Sequence, residues 1–273
     1  MVWYADPEAL AVQLQSVDGR WFAAGLACSI VSNVVSAARW AAIARGLGLV
    51  APLGAAIAGY FRGMTMNVLL PGATVSGDLL RGYELSKAGA NPLLRSGLSV
   101  LLDRLSGLWV LCAMSLVSLL VAHALGMLAL DSTIALYIAG LALALALPWV
   151  PLPRAKWEAV RRETLASGGP VLSSIWLSVL VQVFSAAALW LFGLAAGLQL
   201  TYAVMFVAAA PIFIMGAMPL GWGGFGAREL SAVVVLGVLD VMADQATATA
   251  LLYGLSAVLQ GVLAAPLFLI RRN

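Results

Sequence analysis

Eight ionisable residues stand inside or at the edge of strongly apolar sequence: Arg62, Asp78, Arg81, Glu84, Asp103, Arg104, Arg228 and Glu229. Charges at membrane depth are costly, so each needs a partner or a function. Arg62 has apolar residues on both sides and cannot easily snorkel. Asp78 and Arg81 are three apart, as are Arg81 and Glu84, so each pair shares a helix face; mutual neutralisation explains them as well as ligand binding does. Asp103 directly precedes the apolar run that begins at Leu105 and wants a cation, with Arg62 and Arg81 as candidates, whereas snorkelling suffices for Arg104. The stretch 219–229 joins a glycine run containing Gly224 and Gly226 to Arg228 and Glu229. Successive backbone N–H groups leading into a helix start suit a phosphate or carboxylate, and Arg228 adds a full charge. Glu229, in the first turn, reads as a cap or an arginine partner. Asn67, with Thr74 and Ser76, can bind a headgroup near the first helix break, though turn chemistry explains them equally.

Other chemistry is poorly served. His123 is the only histidine and stands at the end of an apolar run, and Cys28 and Cys112 read as small hydrophobes. No metal cluster, triad or phosphate-loop ending is visible, so no cofactor and no enzyme activity are expected.

These residues must be positioned by membrane helices. The chain has 273 residues, of which 63% are hydrophobic and only 10% charged, with a mean hydropathy of +1.00. Soluble domains carry about a quarter charged residues, so a soluble enzyme is excluded. Fifteen Lys and Arg against twelve Asp and Glu leave a net charge of +3, too small a surplus for nucleic-acid binding. An all-α polytopic membrane protein is expected. Five runs reach the ~20 residues that a span requires: 21–44, 98–122, 127–150, 171–197 and 246–270. Residues 1–20 lack a signal-peptide pattern and read as an amphipathic segment, with Leu10, Leu14 and Val17 on one face. Residues 21–273 form a single transmembrane domain.

Two further stretches are interrupted by proline and glycine, one at Leu70-Pro71-Gly72 and the other at 219–226. Arg154, Lys156, Arg161 and Arg162, and then Arg271 and Arg272, mark the cytoplasmic side. Counting back from a cytoplasmic C-terminus makes 202–240 begin and end outside, and about 50–90 begin and end inside, each as a re-entrant hairpin. In a competing drawing 50–70 spans, which puts Arg81, Lys87 and Arg95 outside. One hairpin from each side suggests an inverted repeat, and paired interrupted segments point to a substrate site.

The ordered set Arg39-Trp40, Asn67, Leu70-Pro71-Gly72, Gly77-Asp78, Arg81, Asp103-Arg104, Pro219 and Gly224-Phe225-Gly226-Ala227-Arg228-Glu229 resembles the lysylphosphatidylglycerol synthase transmembrane family across nearly the whole chain. The resemblance implies a lipid flippase module of a bacterial inner membrane. The aminoacyl-transferase domain that members with synthase activity carry does not follow before Asn273, so lysyl-lipid synthesis is not expected, and the hydrophobic helix that usually precedes the segment matching 5–18 is missing. The leading expectation is a flippase or scramblase. It would move an anionic phospholipid or polyprenyl-phosphate-linked lipid, held by Arg62, Asn67, Asp78, Arg81, Asp103, Arg104, Gly224, Gly226, Arg228 and Glu229 where the two hairpins meet near the midplane. A secondary transporter of a small organic anion, coupled through Asp78, Asp103 or Glu229, is one alternative. A non-transporting partner of a lipid-modifying enzyme is another. Partners are thus a membrane lipid, and either a second copy or such an enzyme.

Overall fold

A computed structural model describes residues 14–70, 75–124, 126, 131–146, 168–217 and 226–269. Among them the long elements are all helices: α1 (Gly19–Gly46), α2 (Leu53–Leu69), α3 (Val75–Ala88), α4 (Leu93–Ala124), α5 (Ser132–Ala146), α6 (Gly168–Ala195), α7 (Tyr202–Ala217), α8 (Ala227–Gly237) and α9 (Ala243–Ala264). A 3-10 turn at Ala265–Phe268 extends the last of these. Four helices are long and apolar enough to cross a membrane: Gly19–Gly46, Leu93–Val121, Ser174–Ala195 and Ala243–Phe268. They coincide with four of the five expected spans. The fifth run, 127–150, is described as a helix only over Ser132–Ala146. The basic clusters at 154–162 and 271–272, Gly224 and both helix breaks lie outside the described residues.

Helices α1 and α6 form the central pair, and small residues let them approach closely. Gly25 leaves no room for a Cβ beside the Phe192 ring, and Ser32 bonds Ser185 (2.8 Å) and the Val181 carbonyl (3.2 Å). Such hydroxyl contacts contribute about 0.6 kcal/mol each in membrane helices, where apolar surface alone gives little association. The pair is antiparallel: the Asp18 N–H reaches the Ala195 carbonyl (3.1 Å) at one end, and Arg39 reaches Ser178 (3.1 Å) towards the other. Gln260 of α9 joins this pair through Ser29 and Asn33, both at 2.9 Å.

Each central helix is followed by a hairpin of two short helices. Asn91 accepts from the Val50 N–H and donates to the Val50 carbonyl, both at 3.0 Å, so the α2–α3 hairpin begins and ends at one place. With 17 and 14 residues, its legs are about 26 and 21 Å long, short of the ~30 Å apolar thickness of a bilayer. The α7–α8 hairpin, with legs of 16 and 11 residues, closes in the same way: Leu198 and Leu200 before it and Val241 after it share one apolar cluster. Because α1 and α6 are antiparallel and a hairpin follows the C-terminal end of each, the two hairpins open from opposite ends of the bundle.

The halves also share their punctuation. Gly48 (φ 73°) ends α1 and Gly197 (φ 78°) ends α6, and the next residue, Leu49 or Leu198, donates back to the helix in the same pattern. Glycine takes this left-handed cap without a Cβ penalty. The second leg of each hairpin ends in a non-glycine residue with positive φ, Ala90 (50°) and Asp240 (58°). The intervals from Gly48 to Ala90 and from Gly197 to Asp240 differ by one residue.

Candidate functional site

The first hairpin builds a buried ionic cluster against α1 and α4. Asp103, 1% exposed, lies at its floor. One carboxylate oxygen accepts from Arg39 Nε and the other from Arg81 Nη2, each at 2.8 Å. Gly107, one turn along α4 from Asp103, makes room for the Arg39 guanidinium, which would lie 2.8 Å from any Cβ there. Arg81 is 3% exposed and packed between the rings of Trp40 (4.4 Å) and Tyr60 (4.6 Å). Stacking on ring faces offsets part of the cost of desolvating a guanidinium. Trp40 is held by its indole N–H, which donates to Ser99 (3.0 Å).

Above the floor, Asp78 accepts from Arg81 Nη1 (3.2 Å) and from Arg104 through two bonds of 2.9 Å. The side chains of Asp78 and Arg104 are 23% and 43% exposed, so they form the rim. Three arginines thus share two carboxylates, and the cluster has one surplus positive charge. The Arg81 Nε, buried, has no hydrogen-bond partner.

Asn67 staples the hairpin: its Oδ1 accepts from the Gly77 N–H (2.8 Å) and the Ser76 hydroxyl (3.2 Å), serving orphan donors in the first turn of α3. The legs cross backbone to backbone, since a Cβ on Gly77 would collide with the Gly63 carbonyl oxygen. Among the sequence candidates for Asp103, Arg81 is its partner and Arg62 is not. Arg62 instead donates to the Leu267 carbonyl at the chain's last described turn (3.0 and 2.7 Å) and to Glu84 (3.2 Å), with Phe268 beside it. Leu267 belongs to the 3-10 turn that extends α9.

The second hairpin holds a smaller group. Arg228, 6% exposed, donates to Glu229 (3.0 Å) and lies over the Tyr253 ring (5.5 Å). The other Glu229 oxygen accepts from the Gly226 N–H, where φ is 100°. Glu229 thus serves both as a cap at the start of α8 and as the partner of Arg228, the two roles its place in the first turn suggests. Gly224 lies outside the described residues, as does the expected meeting of the two breaks. Both hairpins bear instead on α9: Thr65 donates to the Gly261 carbonyl (2.6 Å), and Tyr253 receives Arg228.

The structure thus brings Asp78, Arg81, Asp103 and Arg104 together, sets Arg62 and Asn67 elsewhere on the same hairpin, and places Gly226, Arg228 and Glu229 in the other. Sequence reasoning passed over Arg39, Trp40, Tyr60 and Ser178 as site residues. The available signal was a cation within the apolar run of α1, nearly two turns before Arg45 at its basic end.

Neither a curated protein nor a solved structure matches the chain. A family model described as the lysylphosphatidylglycerol synthase TM region matches residues 1–265. This integral membrane protein therefore belongs to the lysylphosphatidylglycerol synthase transmembrane-region family.

Proposed function

We propose that the protein moves a lipid with an anionic headgroup between the leaflets of a bacterial cytoplasmic membrane, as a flippase or scramblase without enzyme activity of its own. The observation that carries this reading is the cluster of Arg39, Arg81 and Arg104 around two carboxylates, with one positive charge to spare inside an apolar bundle. A buried surplus cation is expensive, and an anionic headgroup would offset it. Family membership makes a lipid the natural bearer of that anion. The hairpins, opening from opposite ends, are read as re-entrant segments of an inverted repeat, one reached from each leaflet, with the C-terminus cytoplasmic. The acyl chains stay in lipid while the headgroup crosses.

The test is leaflet exchange of a fluorescent anionic phospholipid in proteoliposomes. Arg81→Ala and Arg104→Ala together should slow exchange at least about ten-fold, the loss of some 1.4 kcal/mol of headgroup binding. Exchange equal to the unmodified protein, in a variant whose thermal unfolding shows it folded, sinks the site. Solute uptake that follows the proton gradient, with no lipid movement, would favour an organic-anion transporter instead.

A further inference from the structure

The rim and the floor of the cluster differ in a way that packing does not explain. Asp103 is sealed between Arg39 and Arg81, and a buried pair of this kind is costly to break. Asp78 makes the same sort of contact at the rim, where its side chain is 23% exposed and that of Arg104 43%. It nevertheless grips Arg104 through both oxygens, 2.9 Å to Nε and 2.9 Å to Nη2, while reaching Arg81 at 3.2 Å. Two parallel bonds to one guanidinium are the geometry in which arginine takes a phosphate. Below the rim, Arg81 keeps one buried N–H, on Nε, without an acceptor.

We propose that Asp78 is a displaceable internal counter-anion, which occupies the subsite of the headgroup phosphate and leaves Arg104 and Arg81 when the phosphate arrives. This rests on reading the cluster as a headgroup site, and it adds a selection by charge. Asp78 remains at the rim after displacement and Asp103 at the floor, so the three arginines balance one further negative charge. A phosphodiester headgroup brings one; a phosphomonoester or diphosphate brings more. The exchange is one ion pair for another, so the site is not left with unpaired guanidinium groups at any stage, and the phosphate can leave again as readily as the carboxylate returns.

The experiment is Asp78→Asn in the full chain, purified in detergent and titrated with inorganic phosphate, short-chain phosphatidylglycerol and short-chain phosphatidic acid. With the competitor removed, all three should bind about five-fold tighter, the equivalent of one rim ion pair. The gain should be larger for phosphatidic acid and inorganic phosphate, whose extra charge Asp78 no longer opposes, than for phosphatidylglycerol. Unchanged or weaker binding of all three overturns the proposal, and tightening for inorganic phosphate alone overturns the selection of a lipid headgroup. A readout on the unmodified protein guards against a misfolded variant: adding phosphate should shift a carboxylate stretching band in the infrared difference spectrum, and a flat carboxylate region overturns the exchange. Binding is measured without transport. Failed leaflet exchange with tightened binding would remove the functional reading and leave this one standing, and normal exchange with no tightening would do the reverse.

Discussion

The two hairpins share a backbone plan and differ in what they carry. The α2–α3 hairpin brings Arg81 and the Asp78 carboxylate to Asp103, adds Arg62 and Glu84 on its flank, and crosses at glycines facing each other. In the α7–α8 hairpin the described part holds Arg228 beside Glu229, the carboxylate spends its second oxygen on the helix start, and Pro211 interrupts the first leg. One frame thus supports three arginines around two carboxylates beside the first hairpin and a single arginine–glutamate pair in the described part of the second. Hairpin geometry comes from the paired caps and small residues, and the charge chemistry is grafted on it.

The sharpest way to break that contrast is to remove the floor of the first hairpin. Asp103→Asn leaves Arg39 and Arg81 without their shared carboxylate and should destabilise the protein by about 3–5 kcal/mol, read by unfolding in detergent, whereas Glu229→Gln should cost clearly less. If the two variants unfold alike, the hairpins are equally dependent on buried charge and the contrast fails. Next comes the crossing. Gly77→Ala drives a Cβ into the Gly63 carbonyl and should cost about 1–3 kcal/mol, while the Cβ of Gly216→Ala meets Arg228 Cβ at 3.2 Å and needs only a small shift.

Arg62→Met should cost about 1–2 kcal/mol by freeing the Leu267 carbonyl and Glu84, and trypsin or chymotrypsin should then cut near the C-terminal turn sooner. The smallest effect tests the shared punctuation itself. Ala90→Gly should stabilise by about 0.5–1 kcal/mol because alanine is strained at positive φ, and Asp240→Gly should gain less because aspartate tolerates that region better. A loss at Ala90 would show that its side chain matters more than its φ.

Much of the fold was legible because hydrophobic length is a long-range signal that each segment carries alone. Four spans followed from the apolar runs alone. The partners of Asp103 were only half legible. Arg81 was within reach of the argument because it belongs to the same local stretch as Asp78. Arg39 lies 64 residues from Asp103 and was hidden inside an apolar run, where its meaning depends on Gly107 and Ser178 from two other helices. The main partner of Arg62 was illegible for the same reason: it is a backbone carbonyl 205 residues away, and carbonyls have no signature in a sequence. Glu229 was legible as a cap or an arginine partner because the groups it meets, Gly226 and Arg228, are its near neighbours in the sequence.

Helix α9 carries both hairpins at once. It is gripped by Thr65 at Gly261 and by Arg228 at Tyr253, points about 12 Å apart along its axis. A shared abutment of this kind gives the two ends of the bundle a common mechanical reference. A tilt of α9 that loosened one hairpin would also alter the seat of the other, because both rest on the same helix.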